Sequence, residues 1–150
     1  MADTSLNENR LALLIWQTSN LWQSRVRQKL KASKITINEY LILETIYLLQ
    51  EKNKNITQQT ICKNSSIDRS VVSLRVSNLE EKKLILKKQP QDKRSDSLIL
   101  TSAGINLINN IIGNVNELEN EIFNKLGSEI FNFTNSLKLL LGKKIRIRAK

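Results

Sequence analysis

Arg69, Ser70, Ser73 and Arg75 fall within one short stretch, Arg69-Ser-Val-Val-Ser-Leu-Arg-Val76, followed by Ser77 and Asn78. Read as a helix, Val72, Val76 and Leu79 stand at i, i+4 and i+7 and turn to one side, which leaves Arg69, Ser70 and Ser73 on the other. Short hydroxyls let a helix approach a DNA groove and bond to bases or phosphates. An arginine can pair bidentately with guanine, worth about 1–3 kcal/mol of discrimination. Each residue also has a plainer role, since Ser70 can serve the helix start and Arg69 can be a solvated charge. A second cluster follows at Lys87, Lys88, Lys93 and Arg94, where Asp92 is the one acid up to Arg94. So dense a group of cations repels itself unless something anionic covers it. Arg94 is the residue best suited to a narrow, A/T-rich minor groove, although charge runs are commonly just solvated faces.

Other chemistries are closed to this sequence. With no histidine among 150 residues, the Ser-His-Asp triad, the Cys-His dyad and every imidazole metal site are absent. The single cysteine, Cys62, cannot form a disulfide within the chain, and the glycines at 104, 113, 127 and 142 leave the first hundred residues without a phosphate-cradling loop. The expectation is a protein that is not an enzyme and that uses no metal or cofactor. Its formal charge of +10 fits a nucleic-acid partner. The abundance of Lys, Asn and Ile also fits A/T-rich coding, so the placement of charge counts for more than its sum. The longest apolar run, Leu11 to Trp16, is far below the roughly 18–20 residues that cross a bilayer. Met1 to Arg10 has no basic start followed by an apolar stretch, so a cytoplasmic protein with no membrane partner is expected.

The elements that must position these residues can be read from periodicity and caps. Residues 6–31 form an amphipathic helix, and Thr36-Ile-Asn-Glu39 is a capping box opening a helix from Ile37 to Gln50. Thr57 caps a short helix through Lys63, residues 64–67 make a turn, and Asp68 is an N-cap for a helix to about Lys82. Leu84 and Leu86, then Leu98 and Leu100, flank a polar loop that holds the only proline, Pro90, and read as an antiparallel hairpin. Thr101 caps a long helix, Ser102 to Leu126, in which Gly113 allows a kink or a close approach. Gly127 stops it, Ser128 caps a last helix to about Leu141, and Gly142 stops that one. The fold class is mainly α with a small β-hairpin wing: a winged helix-turn-helix flanked by N- and C-terminal dimerisation helices. Residues 1–34 and 102–142 would form the dimerisation region, 35–101 the DNA-binding region and 143–150 a basic tail.

Within that order, Leu79-Glu-Glu-Lys-Lys-Leu84-Ile85, Asp92-Lys-Arg94 and Leu100-Thr101-Ser-Ala-Gly104 resemble the multiple antibiotic resistance regulator (MarR) family of bacterial transcription factors. The order of elements agrees over about residues 6–142. The resemblance implies a homodimeric winged-helix regulator of palindromic promoter DNA, often a repressor released by a small phenolic or lipophilic ligand or by thiol oxidation. It implies DNA contacts at Ser70, Val71 and Ser73, and a minor-groove role for Arg94. Three departures stand out. Many members carry Arg where this chain has Leu74, so Arg75 either makes a different contact or pairs with Asp92. Lys83 replaces a usual glycine, at a cost on the order of 1 kcal/mol if the left-handed conformation is kept. Cys62 lies in the short helix rather than the first, where a buried structural role is expected.

The function read from the sequence is a dimeric, sequence-specific DNA-binding regulator acting on an inverted repeat. The alternative is a winged-helix protein-interaction module that has lost specific DNA binding. Trp16, Trp22, Tyr40 and Tyr47, on the first two helices, could line an apolar ligand cavity, or simply form core.

Overall fold

A computed structural model describes residues 8–52, 55–88 and 97–147. Its elements are α1 (Leu11–Leu30), α2 (Ile37–Glu51), α3 (Gln58–Ser65), α4 (Arg69–Glu81), β1 (Ile85–Lys88), β2 (Ser97–Leu100), α5 (Ser102–Phe123) and α6 (Ile130–Leu140). The strands pair antiparallel, with Ile85 opposite Leu100 and Lys88 opposite Ser97. A mainly helical chain with one hairpin is thus the architecture, as the winged-helix reading requires. The chain divides into two compact units, residues 1–115 and 116–150.

In the first unit, the core is built around α2, which packs against α1, α3, α4 and β2. Its Tyr40, Ile42, Leu43 and Ile46 are enclosed, which accounts for a helix apolar on nearly every side. The expected capping box is present: the Thr36 hydroxyl accepts from the Glu39 amide at 3.1 Å, and the Glu39 carboxylate accepts from the Thr36 amide at 3.1 Å. At α3, Thr57 caps through its hydroxyl, and Thr60 reciprocates, so this start too is a capping box. Asp68 occupies the N-cap position of α4 but makes no side-chain capping bond; its carboxylate is left to interact with the helix dipole alone. α1 begins at Leu11 rather than at residue 6; residues 6 and 7 lie outside the described residues.

Lys83 keeps the left-handed conformation, with φ 59°. Its amide donates to the Glu80 carbonyl at 2.9 Å and the Leu84 amide to the Leu79 carbonyl at 3.0 Å, the double bond of a Schellman end. This turn resets the phase of the hairpin. Leu84 falls before the strand, so Ile85 faces the core and Leu86 lies outward at 54 % exposure, contrary to the expected Leu84 and Leu86 alternation. Leu98 and Leu100 are buried as expected. The Leu98 amide donates to the Ile56 carbonyl at 2.7 Å, and the Leu100 amide to Gln50 Oε1 at 3.2 Å, so β2 is held to α2 and to the segment after it. Cys62 is half-buried rather than buried, because Ile61 takes the inward position of α3 and the next residue is rotated about 100° away.

Thr101 opens α5 as expected, its hydroxyl accepting from the Gly104 amide at 3.0 Å while donating to the Lys83 carbonyl at 2.7 Å. Gly104 sits against the backbone here, since a Cβ on it would collide with the Leu84 carbonyl oxygen. Gly113, by contrast, lies in an uninterrupted helix with nothing among the described residues close to where a Cβ would stand, so within them it marks neither a kink nor a close approach.

In the second unit, α5 ends at Phe123, and a 3-10 segment, Asn124–Glu129, carries the chain through Gly127 at φ 57°. α6 follows with Glu129, not Ser128, at its N-cap and no side-chain capping bond. The 3-10 turns displace the helix start by one residue, and the Ile130 amide donates to the Gly127 carbonyl. Gly142 ends α6 at φ 70°, with the Gly142 amide bonded to Leu139 and the Lys143 amide to Lys138.

Lys83→Gly should stabilise the protein by about 1 kcal/mol in urea unfolding, because glycine adopts φ near +60° without a Cβ penalty. Gly104→Ala should destabilise it by about 1–3 kcal/mol, as overpacking against a backbone oxygen does. An unchanged urea midpoint in either variant would contradict the corresponding geometry.

Candidate nucleic-acid interface

The interface is built by the turn between α3 and α4. Ser66 adopts φ 60°, its amide donating to the Cys62 carbonyl at 2.9 Å. Ser65 Oγ accepts from the Ile67 amide at 3.2 Å and donates to the Ile61 carbonyl at 2.6 Å. These bonds close the turn so that α4 leaves it with Val72, Val76 and Leu79 fully enclosed. The opposite face is free of the core: Arg69, Ser70, Ser73, Leu74 and Ser77 are exposed, while Val71 and Arg75 are half-buried.

The far end of α4 is fixed by a buried charge. Glu39 is 1 % exposed and Lys82 Nζ reaches its Oε2 at 2.9 Å; the same ammonium donates to the Lys34 carbonyl at 3.0 Å. Lys34 is itself left-handed, at φ 57°, which turns its carbonyl toward α4. With Oε1 on the Thr36 amide and Oε2 on Lys82, both carboxylate oxygens are bonded, as a buried carboxylate requires.

The wing supplies charge unevenly. Lys87 lies 3.7 Å from Glu80, so part of its charge is offset within the protein, whereas Lys88 is exposed. Lys93 and Arg94, with Asp92 and Pro90, lie outside the described residues. Arg75 is half-buried, its Nε enclosed and without a hydrogen-bond partner among the described residues; the pairing with Asp92 that the sequence suggests lies outside them. Leu74 lies on the face that carries Ser70 and Ser73, at 57 % exposure. Its signal in the sequence was its place four residues after Ser70 and three before Ser77, on the same helical face. An exposed leucine there suits apolar contact with a thymine methyl.

The four aromatic residues occupy different environments. Tyr40 is core at 1 % exposure, Trp16 is 64 % exposed, and Trp22 and Tyr47 are half-buried. Trp22 lines an open cleft of about 280 Å³ between α1 and the start of α2, with Gln23, Arg27, Thr36, Ile37, Asn38 and Leu41. No cluster of His, Cys, Asp or Glu among the described residues could hold a metal, and no described helix is long and apolar enough to cross a membrane.

A helix, a tight turn, a second helix with a polar outer face and a basic hairpin define a winged helix-turn-helix protein. The solved MepR–DNA complex of Staphylococcus aureus is similar over 87 % of this chain and 95 % of that one, at 28 % identity and a TM-score of 0.79. A MarR-family regulator from Rhodococcus sp. RHA1 shares the fold at a TM-score of 0.79, with 15 % identity over 95 % of this chain and 99 % of that one. A curated relative, the HTH-type transcriptional regulator YdcH of Bacillus subtilis, is 32 % identical over 92 residues, covering 61 % of this chain and 63 % of its own length. The match therefore spans under two thirds of that relative. No family model matches the chain. In fold, the chain is a winged helix-turn-helix protein similar to these regulators.

Removing the ammonium from the buried pair, as in Lys82→Ala, should cost about 2 kcal/mol. Stranding a buried carboxylate costs roughly 3–5 kcal/mol, lessened here because Lys82 is partly exposed. Urea unfolding measures it, and a loss within error of zero would show that solvent replaces the lysine.

Proposed function

We propose that this chain is a homodimeric, sequence-selective regulator of transcription that binds double-stranded DNA at inverted repeats, acting as a repressor relieved by a small phenolic or lipophilic ligand. The observation that carries the reading is the outer face of α4. Arg69, Ser70, Ser73 and Ser77 are exposed and unused by the core, at the position where a helix-turn-helix reads the major groove. On this reading Arg69, Ser70, Val71 and Ser73 approach the bases, while Lys88, Lys93 and Arg94 of the wing meet phosphate or the minor groove. Arg75, half-buried, either makes a contact of its own or pairs with Asp92, and Lys87 shares its charge between Glu80 and the DNA. Support comes from the MepR structure, which is a complex with DNA. A neighbour sharing the fold alone, BpsR of Bordetella bronchiseptica, is described as having its DNA binding regulated by 6-hydroxynicotinic acid.

Dimerisation is supported by apolar surface that a lone chain leaves in water. Leu11, Leu14, Ile15, Trp16 and Leu21 of α1 are 42–65 % exposed, and α6 exposes Leu139 and Leu140 at 68 % and 74 %. Two-fold symmetry then places two α4 helices about one DNA turn apart, so the half-sites lie about 10 bp centre to centre. For the ligand, the cleft beside Trp22 is the place to test. Quenching of tryptophan fluorescence by phenolic or lipophilic compounds is expected, and silence across a panel would favour a regulator without an inducer.

Selection of bound fragments from random DNA tests the function directly: an inverted repeat is expected, and recovery of single half-sites or of no sequence would sink the reading. Within it, Arg94→Ala should weaken binding to all sequences, and flatten the dependence of log affinity on log salt by about one phosphate contact per subunit. Ser73→Ala should instead shift preference among sequences, by about 1–3 kcal/mol at the contacted base pair. Gel-shift titrations in a salt series separate the two.

A further inference from the structure

The charges of the second unit are segregated along the chain. Residues 117–129 hold Glu117, Glu119, Glu121 and Glu129 against Lys125 alone. From residue 130 to the end there is no acid, and Lys138, Lys143, Lys144, Arg146, Arg148 and Lys150 are all basic. Such a tail ordinarily frays unless something ties it down. Here Asn135 of α6 does so: its Nδ2 donates to the Arg146 carbonyl at 2.7 Å and its Oδ1 accepts from the Arg146 amide at 3.0 Å. One side-chain amide thus treats the tail as a strand partner would, and the left-handed Gly142 supplies the reversal.

The cations held this way are not used among the described residues. Lys143, Lys144 and Arg146 are exposed and form no ion pair among the described residues. Immediately before them, Leu139, Leu140 and Leu141 are 68 %, 74 % and 67 % exposed. Cations alone would suit a phosphate backbone. Cations beside three exposed leucines suit a protein surface that is apolar at its centre and acidic at its rim.

We propose that the pinned tail is a clasp for a second copy of this chain, in which Lys143, Lys144 and Arg146 of each copy face the Glu117–Glu121 stretch of the other. This rests on the dimer proposed above and adds what selects and steadies it. Rim charges contribute specificity and register more than bulk affinity. Because they are exposed, their attraction acts over about 8 Å at physiological salt. Asn135 serves as a positioning residue, holding the cations in one place rather than binding the partner.

Two charge-reversed chains test the clasp. One carries Lys143→Glu, Lys144→Glu and Arg146→Glu; the other carries Glu117→Lys and Glu121→Lys, both at exposed positions. Each alone should form its homodimer about tenfold or more weakly by sedimentation equilibrium, since every cross-contact becomes a like-charge one. Mixed, the two should pair with each other well above the roughly one-half expected by chance, because both cross-contacts are then of opposite sign. Asn135→Ala should weaken the homodimer less than tail reversal and leave its salt dependence intact. Random mixing would overturn the clasp while leaving the dimer standing. A tail reversal that weakens only DNA binding would assign the tail to phosphate. An unaltered chain that sediments as a monomer would instead remove the dimer on which the clasp rests.

Discussion

A carboxylate buried to 1 % exposure must have both oxygens satisfied, and Glu39 meets that demand by joining two elements far apart in sequence. One oxygen closes the capping box that starts α2; the other receives Lys82 from the end of α4. Breaking either leaves a charge in a poorly solvated place, so the start of the central helix and the end of α4 form one joint. The backbone beyond it follows. Lys83 is left-handed because α4 must stop at this joint, and its carbonyl and that of Leu84 are then taken by Thr101. Gly104 is required where α5 crosses the Leu84 oxygen. The likeness in Leu79–Ile85 and Leu100–Gly104 is therefore the trace of one packed corner.

That corner changes what the charge of +10 means. The sequence places Lys82, Lys83, Lys87, Lys88, Lys93 and Arg94 close together, as if all six met an anion. Lys82 is instead held by Glu39, and Lys87 is drawn toward Glu80. The basic surface near α4 is thus smaller, among the described residues, than the residue types suggest. At the other end of the chain, Asn135 gives a fixed position to cations that composition alone would assign to a loose tail.

Features fixed within a few residues were legible from the sequence: the Thr36–Glu39 box, the Thr57 cap, the inward Val72, Val76 and Leu79, and the Gly142 stop. Those that depend on a distant partner were not. Leu86 points outward because a turn bonded to α4 shifts the strand by one residue, and alternation alone carries no sign of that turn. Asp68 and Ser128 have the right chemistry for caps, yet Asp68 makes no capping bond from its N-cap position and the 3-10 turns move the start of α6 past Ser128. Of the candidate site, the outward serines could be read from helical phase. The same phase carries the outward lie of Leu74, but not the half-buried place of Arg75. Moving an arginine by one position along a helix rotates it by about 100°, and only the packing around α4 decides whether it still reaches the outer face.

The rigidity of the corner limits how such a protein can be switched. Coupling between two binding sites typically amounts to about 1–3 kcal/mol, and separating Glu39 from the partly exposed Lys82 would consume about 2 kcal/mol of it. A ligand that bent α4 away from α2 at Glu39 would therefore keep little free energy for any other effect. On the proposed reading it more cheaply moves the whole winged-helix region, which alters the spacing of two such regions on DNA without touching the reading face of either. The cleft beside Trp22, where α1 meets the start of α2, is lined by Thr36 of the capping box. With no histidine in the chain, imidazole titration cannot supply the bias, and on the proposed reading it comes from a ligand's differential binding to the two spacings.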